Sequence, residues 1–174
     1  MLNFTHDIPT KIHFGNGAIA HLDESLRPFG KNVLLAYGGG SIKKTGLYDE
    51  IMSILKEGGY TVVECGGIEP NPRITSVEKG VALCKEHHID VVLAAGGGST
   101  IDCAKAICAG VYYEGDLWEM VQKHEGLRKA LPLVDILTLS ATGSEFDDGG
   151  VISNLDTKEK LGNTFTFPSV SICD

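Results

Sequence analysis

Cysteine, histidine and basic residues all occur in this chain, but never in the patterns that would turn them into chemistry. None of the five cysteines (Cys65, Cys84, Cys103, Cys108, Cys173) forms a C-x-x-C pair, so they read as buried thiols, not as a metal or redox site. The six histidines (His6, His13, His21, His87, His88, His124) include no H-x-x-x-H spacing, and no metal site can be assembled from them by pattern. His87-His88 falls at a helix end, where a cationic or capping histidine needs no ligand to explain it. Lys+Arg number 15 against 23 Asp+Glu, and the net charge of −8 disfavours nucleic acid as a partner. No apolar run is long enough to span a bilayer, and Met1 to Asp7 lacks the basic and apolar regions of a signal peptide. A cytoplasmic protein without a membrane partner is therefore expected. Nothing reads Gly-x-Ser-x-Gly, so serine hydrolase chemistry has no support.

What the chain does have is glycine, 22 residues of it, clustered where apolar runs end. Val33 to Tyr37 runs into Gly38-Gly39-Gly40-Ser41, and Val91 to Ala95 runs into Gly96-Gly97-Gly98-Ser99. Glycines let a backbone approach an anion without Cβ obstruction, and the free N–H groups of a following helix point at it. Two such loops in one domain predict a ligand with a pyrophosphate. Neither loop completes Gly-x-Gly-x-x-Gly, because Lys43 and Ile101 stand where the third glycine would be.

At 174 residues the chain is expected to be one domain, 1–174, with an ordinary globular composition. A short strand at Lys11 to Gly15 precedes a helix near Gly17 to Leu26. A helix with Leu47, Ile51, Ile54 and Leu55 follows the first loop, and Tyr60 to Cys65 is strand again. Pro70-Asn71-Pro72 makes a turn before a helix carrying Val77, Val81 and Cys84. Strand, loop and helix run from Asp90 to Ala109, a less regular stretch holds Trp118, and Val134 to Thr138 is strand. This alternation predicts an α/β fold: a Rossmann-like parallel sheet with helices on both faces and ligands at the carboxyl strand ends. A β-hairpin around Asp156-Thr157-Lys158 and a last strand at Ser169 to Cys173 complete the pattern. With an apolar strand one residue before the end, a truncation or a missing second domain is expected.

Several residues carry two readings. Ser99 and Asp102 fit a capping box, and could equally touch a ligand. Lys105 could neutralise phosphate, but its spacing favours a surface pair with Asp102. Thr138 to Glu145 offers small hydroxyls that could lie against a ligand or simply form a polar turn. Glu145, Asp147 and Asp148 are read as solvated carboxylates in preference to a cation site. Glu64 is the rival: in an ordinary Rossmann unit it would grip the ribose hydroxyls behind the first loop.

These stretches together resemble the amino-terminal domain of the iron-containing alcohol dehydrogenases, in particular the butanol dehydrogenase and broad aldehyde reductase branch. The matching residues are Asn3-Phe4, Pro9 to Gly15, Tyr37 to Lys44, Pro70-Asn71-Pro72, Gly96 to Ser99 with Asp102 and Lys105, Tyr113 to Asp116, and Thr138 to Glu145. Polyol dehydrogenases and dehydroquinate synthases share the fold, but Leu139 to Glu145 favours the alcohol dehydrogenase branch. The resemblance implies an NAD(P)H-linked interconversion of primary alcohols and aldehydes, with a small-molecule substrate and a homo-oligomer, a dimer, for the longer protein. It implies that Gly97, Gly98 and Ser99 hold the cofactor pyrophosphate, with Asp102 on the nicotinamide side. Gly38, Gly39, Gly40 and Ser41 would flank the adenosine ribose, and Asn71 would lie near the adenine. Thr138, Ser140, Thr142, Val151 and Lys160 would line the rest. The family's divalent metal, iron or zinc, sits on one Asp and three His of a helical second domain, so no metal ligand or catalytic residue is expected here, and Asp174 does not match. Phe146-Asp147-Asp148 departs from the usual Met-Asn. The alternative is a stand-alone nucleotide-binding module, or a polyol dehydrogenase of the same fold.

Overall fold

The computed structural model describes residue 3 and residues 7–123 and 128–174. Phe4 of the first matching stretch, most of the 1–7 segment, His6 and His124 lie outside the described residues.

The chain opens with β1 (Lys11–Phe14), a 3-10 turn (Ala18–His21) and α1 (Leu22–Leu26). The single helix expected near Gly17 is thus split. A left-handed Gly17 (φ +81°) starts the tight turn, and Asp174 accepts from the N–H groups of Gly17 and Ile19. Next come β2 (Asn32–Tyr37), α2 (Ser41–Thr45), α3 (Leu47–Glu57) and β3 (Thr61–Cys65). The helix expected after the first loop breaks at Gly46 (φ +85°), which separates α2 from α3. The chain continues through α4 (Ile74–Glu86), β4 (Val91–Gly97), α5 (Gly98–Gly110), α6 (Leu117–Gln122) and β5 (Leu133–Leu139). Here α6 corrects the irregular stretch expected around Trp118. Its start is fixed by Asp116, whose carboxylate accepts from Trp118 N at 2.8 Å. Last are the hairpin strands β6 (Gly149–Asn154) and β7 (Glu159–Thr164), then β8 (Val170–Cys173).

Six strands form one parallel sheet in the order β1-β8-β5-β4-β2-β3, and β6 and β7 pair antiparallel beside it. The last strand, β8, inserts between β1 and β5. Strand alternation divides the core in two. Leu34, Ala36, Val92 and Ala94 face α4 and α5, while Val33, Leu35, Val91 and Leu93 face α1 and α3. Being covered on both faces, β2 and β4 read as unbroken apolar runs. The chain winds outward from β2 to β3, then crosses back to lay β4 on the other side of β2. That reversal opens a crevice at the carboxyl ends of β2 and β4.

Candidate functional site

Tyr37 of β2 stands beside Ala95 of β4, so the two glycine turns leave the sheet side by side. The second turn feeds α5 directly. Its first-turn N–H groups have no intrahelical partner, and no side chain caps them among the described residues. A helix start of this kind attracts anions.

The capping box expected at Ser99 is not formed. The glycines prolong β4 to Gly97, so α5 begins at Gly98 and Ser99 sits inside its first turn. Asp102 turns away to the hairpin: Ser144 Oγ donates to it at 2.6 Å and Val151 N at 3.0 Å. Both carboxylate oxygens therefore tie α5 to the 138–151 segment. Ser99 Oγ instead accepts from Asn71 N at 3.4 Å.

The crevice is a cleft of about 480 Å³. Gly38, Gly39 and Ser41 form one wall and Gly97, Gly98 and Ser99 the next. Asn71 and Asp102 stand between, and Thr142, Val151 and Lys160 close the far side. Asn71 adopts a left-handed φ of +56°, and Lys160 Nζ donates to its side-chain oxygen at 2.5 Å across the cleft. The hairpin is pinned there by Ser153 N donating to Pro72 O at 2.8 Å.

Three predicted residues lie elsewhere. Thr138 and Ser140 line a separate hollow of about 440 Å³ with Phe14, Cys173 and Asp174. Leu139, between them, borders both that hollow and the cleft, whereas its two neighbours line the hollow and not the cleft. Gly40 lines a third hollow, with Tyr37, Lys43 and Glu64. Sequence reasoning missed Thr100, which also lines the cleft. A Cβ on Gly96 would come within 2.5 Å of Thr100 Oγ1, so Gly96 makes room for that side chain.

Lys105 makes no pair with Asp102. It is fully buried, and its Nζ donates to Asp147 Oδ1 at 2.6 Å and to Gly149 O at 2.8 Å. The face of α5 read as solvent-exposed is covered by the hairpin. Asp147 is correspondingly no idle surface acid, since it compensates a buried ammonium. Below it, Asp135 of β5 is also fully buried. Burial, with Glu145 nearby, pushes its carboxyl up to about 8. Ser171 Oγ donates to Asp135 Oδ2 at 2.7 Å, which favours the charged form but does not outweigh burial, and Asp135 Oδ1 has no partner among the described residues.

Glu64 is engaged on both oxygens, by Tyr37 OH at 2.6 Å and Tyr48 OH at 2.8 Å. Those two phenols hold its carboxyl below the usual range. Gripping a ribose would require displacing them.

A parallel α/β sheet with an anion-attracting helix start at its winding reversal defines a nucleotide-binding fold. The finer assignment comes from comparison. The family model for iron-containing alcohol dehydrogenase matches residues 9–174, and the chain belongs to that family. The chain is 55% identical over 176 residues to the probable NADH-dependent butanol dehydrogenase 1 of Bacillus subtilis, covering 100% of itself and 46% of that protein. It is 44% identical to the NADPH-dependent aldehyde reductase YqhD of Escherichia coli, covering 92% of itself and 41% of that enzyme. The crystal structure of NADH-dependent butanol dehydrogenase A from Thermotoga maritima superposes with a TM-score of 0.92 at 44% identity, covering 99% of this chain and 44% of that one. The chain thus spans less than half the length of the relatives it matches.

The cleft fits a dinucleotide. A Cβ on Gly39 would meet nothing within 4 Å, and one on Gly98 only Thr142 Oγ1 at 3.5 Å and Ser144 Cβ at 3.9 Å, so the protein's own packing does not require glycine there. The cleft does not fit the iron of the family name. Its acids among the described residues are Glu69, paired with Arg73 and Ser76, and the fully engaged Asp102, and no histidine lines it.

Proposed function

We propose that residues 1–174 are the dinucleotide-binding domain of an NAD(P)H-linked enzyme that interconverts primary alcohols and aldehydes. The observation that carries this reading is the convergence of both glycine turns on one cleft at the carboxyl ends of adjacent parallel strands. Similarity to butanol dehydrogenases and an aldehyde reductase supports the substrate class.

When bound, the nicotinamide supplies the hydride. This chain's residues hold and orient it. Main-chain N–H groups at Gly98 and Ser99 take the pyrophosphate, where a helix start offers donors that need no reorganisation. The loop at Gly38 to Ser41 lies beside the adenosine ribose, with Asn71 toward the adenine. Asp102, held rigid by Ser144 and Val151, borders the nicotinamide end, and Thr142, Val151 and Lys160 wall the cleft. Gly40, Thr138 and Ser140 belong to this reading only if the bound cofactor extends beyond the cleft. No acid of the first loop repels a 2′-phosphate, and Lys43 and Lys44 stand just beyond it, so NADPH is accepted alongside NADH. A divalent metal, iron or zinc, held by residues outside this chain, would supply Lewis-acid chemistry at the carbonyl. The 174-residue chain alone binds cofactor without oxidising alcohols. The longer protein is cytoplasmic and homo-oligomeric, a dimer. Five free thiols, four of them buried, agree with a reducing compartment, and no described helix is long and apolar enough to cross a membrane.

The test is NADH binding by calorimetry to wild type and Gly98→Val. The valine side chain projects beyond the open Cβ position toward the pyrophosphate site. The expected result is a loss of affinity beyond about tenfold, or about 1.4 kcal/mol, with little change in melting temperature. Unchanged affinity would remove α5 as the phosphate cradle.

A further inference from the structure

Away from the cleft, three residues from three elements come together. His13 lies on β1, His21 ends the 3-10 turn and Glu24 lies on α1. One ligand atom from each lies within 4.8 Å of the others. Glu24 Oε1 is 2.8 Å from His21 Nδ1 and 3.8 Å from His13 Nε2. The two imidazoles stack with centroids 4.0 Å apart. A hollow of about 290 Å³ formed by the Phe14 to Ala18 turn adjoins both rings.

The plain reading is a surface ion pair between His21 and Glu24, one turn apart. It leaves one fact unexplained. His13 Nε2 is buried and has no hydrogen-bond partner among the described residues. A buried imidazole nitrogen with nothing to bond carries a cost unless something binds it. Its nearest candidate partner, at 3.8 Å, is the carboxylate that His21 already holds.

We propose that His13, His21 and Glu24 form a site for one divalent transition-metal cation of the zinc class, separate from the cofactor cleft. Two imidazole nitrogens and a carboxylate oxygen are a donor set that zinc, cobalt(II) and nickel(II) accept, with solvent completing the shell. Tetrahedral bonds of about 2.0–2.1 Å put donors roughly 3.3–3.4 Å apart, and the two carboxylate contacts bracket that value. The imidazoles must rotate out of their parallel stack so that both lone pairs converge. His21 and Glu24 are half exposed and free to do so. The ion would tie the edge strand β1 to α1, and the sequence concealed it because the ligands come from three elements joined by a left-handed glycine turn.

The test is titration with zinc(II) by calorimetry and with cobalt(II) by visible absorption, on wild type, His21→Ala, Glu24→Gln and His13→Gln. Wild type should bind one more ion per chain than each variant, or bind it at least about tenfold more tightly, since even residues behind a metal ligand change affinity by that factor. Zinc should also raise the melting temperature of wild type and not that of His21→Ala. The exposed His21 and Glu24 variants keep the test valid should His13→Gln fail to fold. Equal stoichiometry and affinity in wild type and in the His21 and Glu24 variants would overturn the proposal. Because these residues lie outside the cleft, NADH affinity is unaffected in either case, which separates this result from the cofactor reading.

Discussion

Replacing Asp135 with asparagine should make the protein more stable at neutral pH, against the usual cost of altering a buried polar residue. The wild-type carboxyl is fully buried and titrates near 8, against an ordinary value of 3.8. Between those values the folded chain keeps a proton that the unfolded chain releases. Stability from this group is therefore complete below pH 3.8 and is lost progressively as pH rises to 8. At pH 7 the interval above 3.8 corresponds to a penalty of about 4 kcal/mol, at about 1.36 kcal/mol per unit. Asparagine carries no such penalty, and its amide oxygen can accept from Ser171 Oγ as the carboxyl does. Its N–H groups have no evident partner and cost about 1–3 kcal/mol. A net gain of about 1–3 kcal/mol remains, or about 2–12 °C in melting temperature for a chain of this size. The assay is thermal unfolding from pH 4.5 to 8.5. The difference should shrink toward the acid end and grow toward pH 8. Parallel curves for the two proteins, or a less stable variant at pH 8, would refute a neutral buried Asp135.

Two further outcomes follow from the same cluster and its neighbour. Lys105→Ala removes a buried side chain and should cost about 2–5 kcal/mol in urea unfolding. Lys105→Met should recover most of that, because Asp147 is half exposed and can rehydrate; equal losses in both variants would place the cost on the ion pair alone. For the cofactor, wild type should bind NADPH as well as NADH in competition, and Gly39→Asp should weaken NADPH selectively by like-charge repulsion. Glu64→Gln should change little, since the tyrosines already occupy that carboxylate. Rejection of NADPH by wild type, with admission only by Glu64→Gln, would restore the ordinary Rossmann role to Glu64.

The sequence by itself determined whatever depends on neighbours along the chain. Apolar runs ending in glycine mark buried parallel strands, so both glycine turns and the strand–helix order were legible from Val33 to Ser41 and from Val91 to Ser99. The hairpin, signalled by its turn residues, was legible for the same local reason. Tertiary structure alone decided what each polar side chain meets. Asp102 and Lys105 sit three residues apart and would pair on a free helix, but the hairpin packs over that face and supplies Val151 N–H, Ser144 and Asp147 as nearer partners. Thr138, Ser140 and Thr142 are alike in composition, and only the pleat of β5 and the turn after it send the third to the cleft and the first two away. His13, His21 and Glu24 have no common spacing, and a glycine turn folds them together. Local periodicity carries backbone conformation; the partners of a charge are set by packing between elements distant in sequence, which no local pattern encodes.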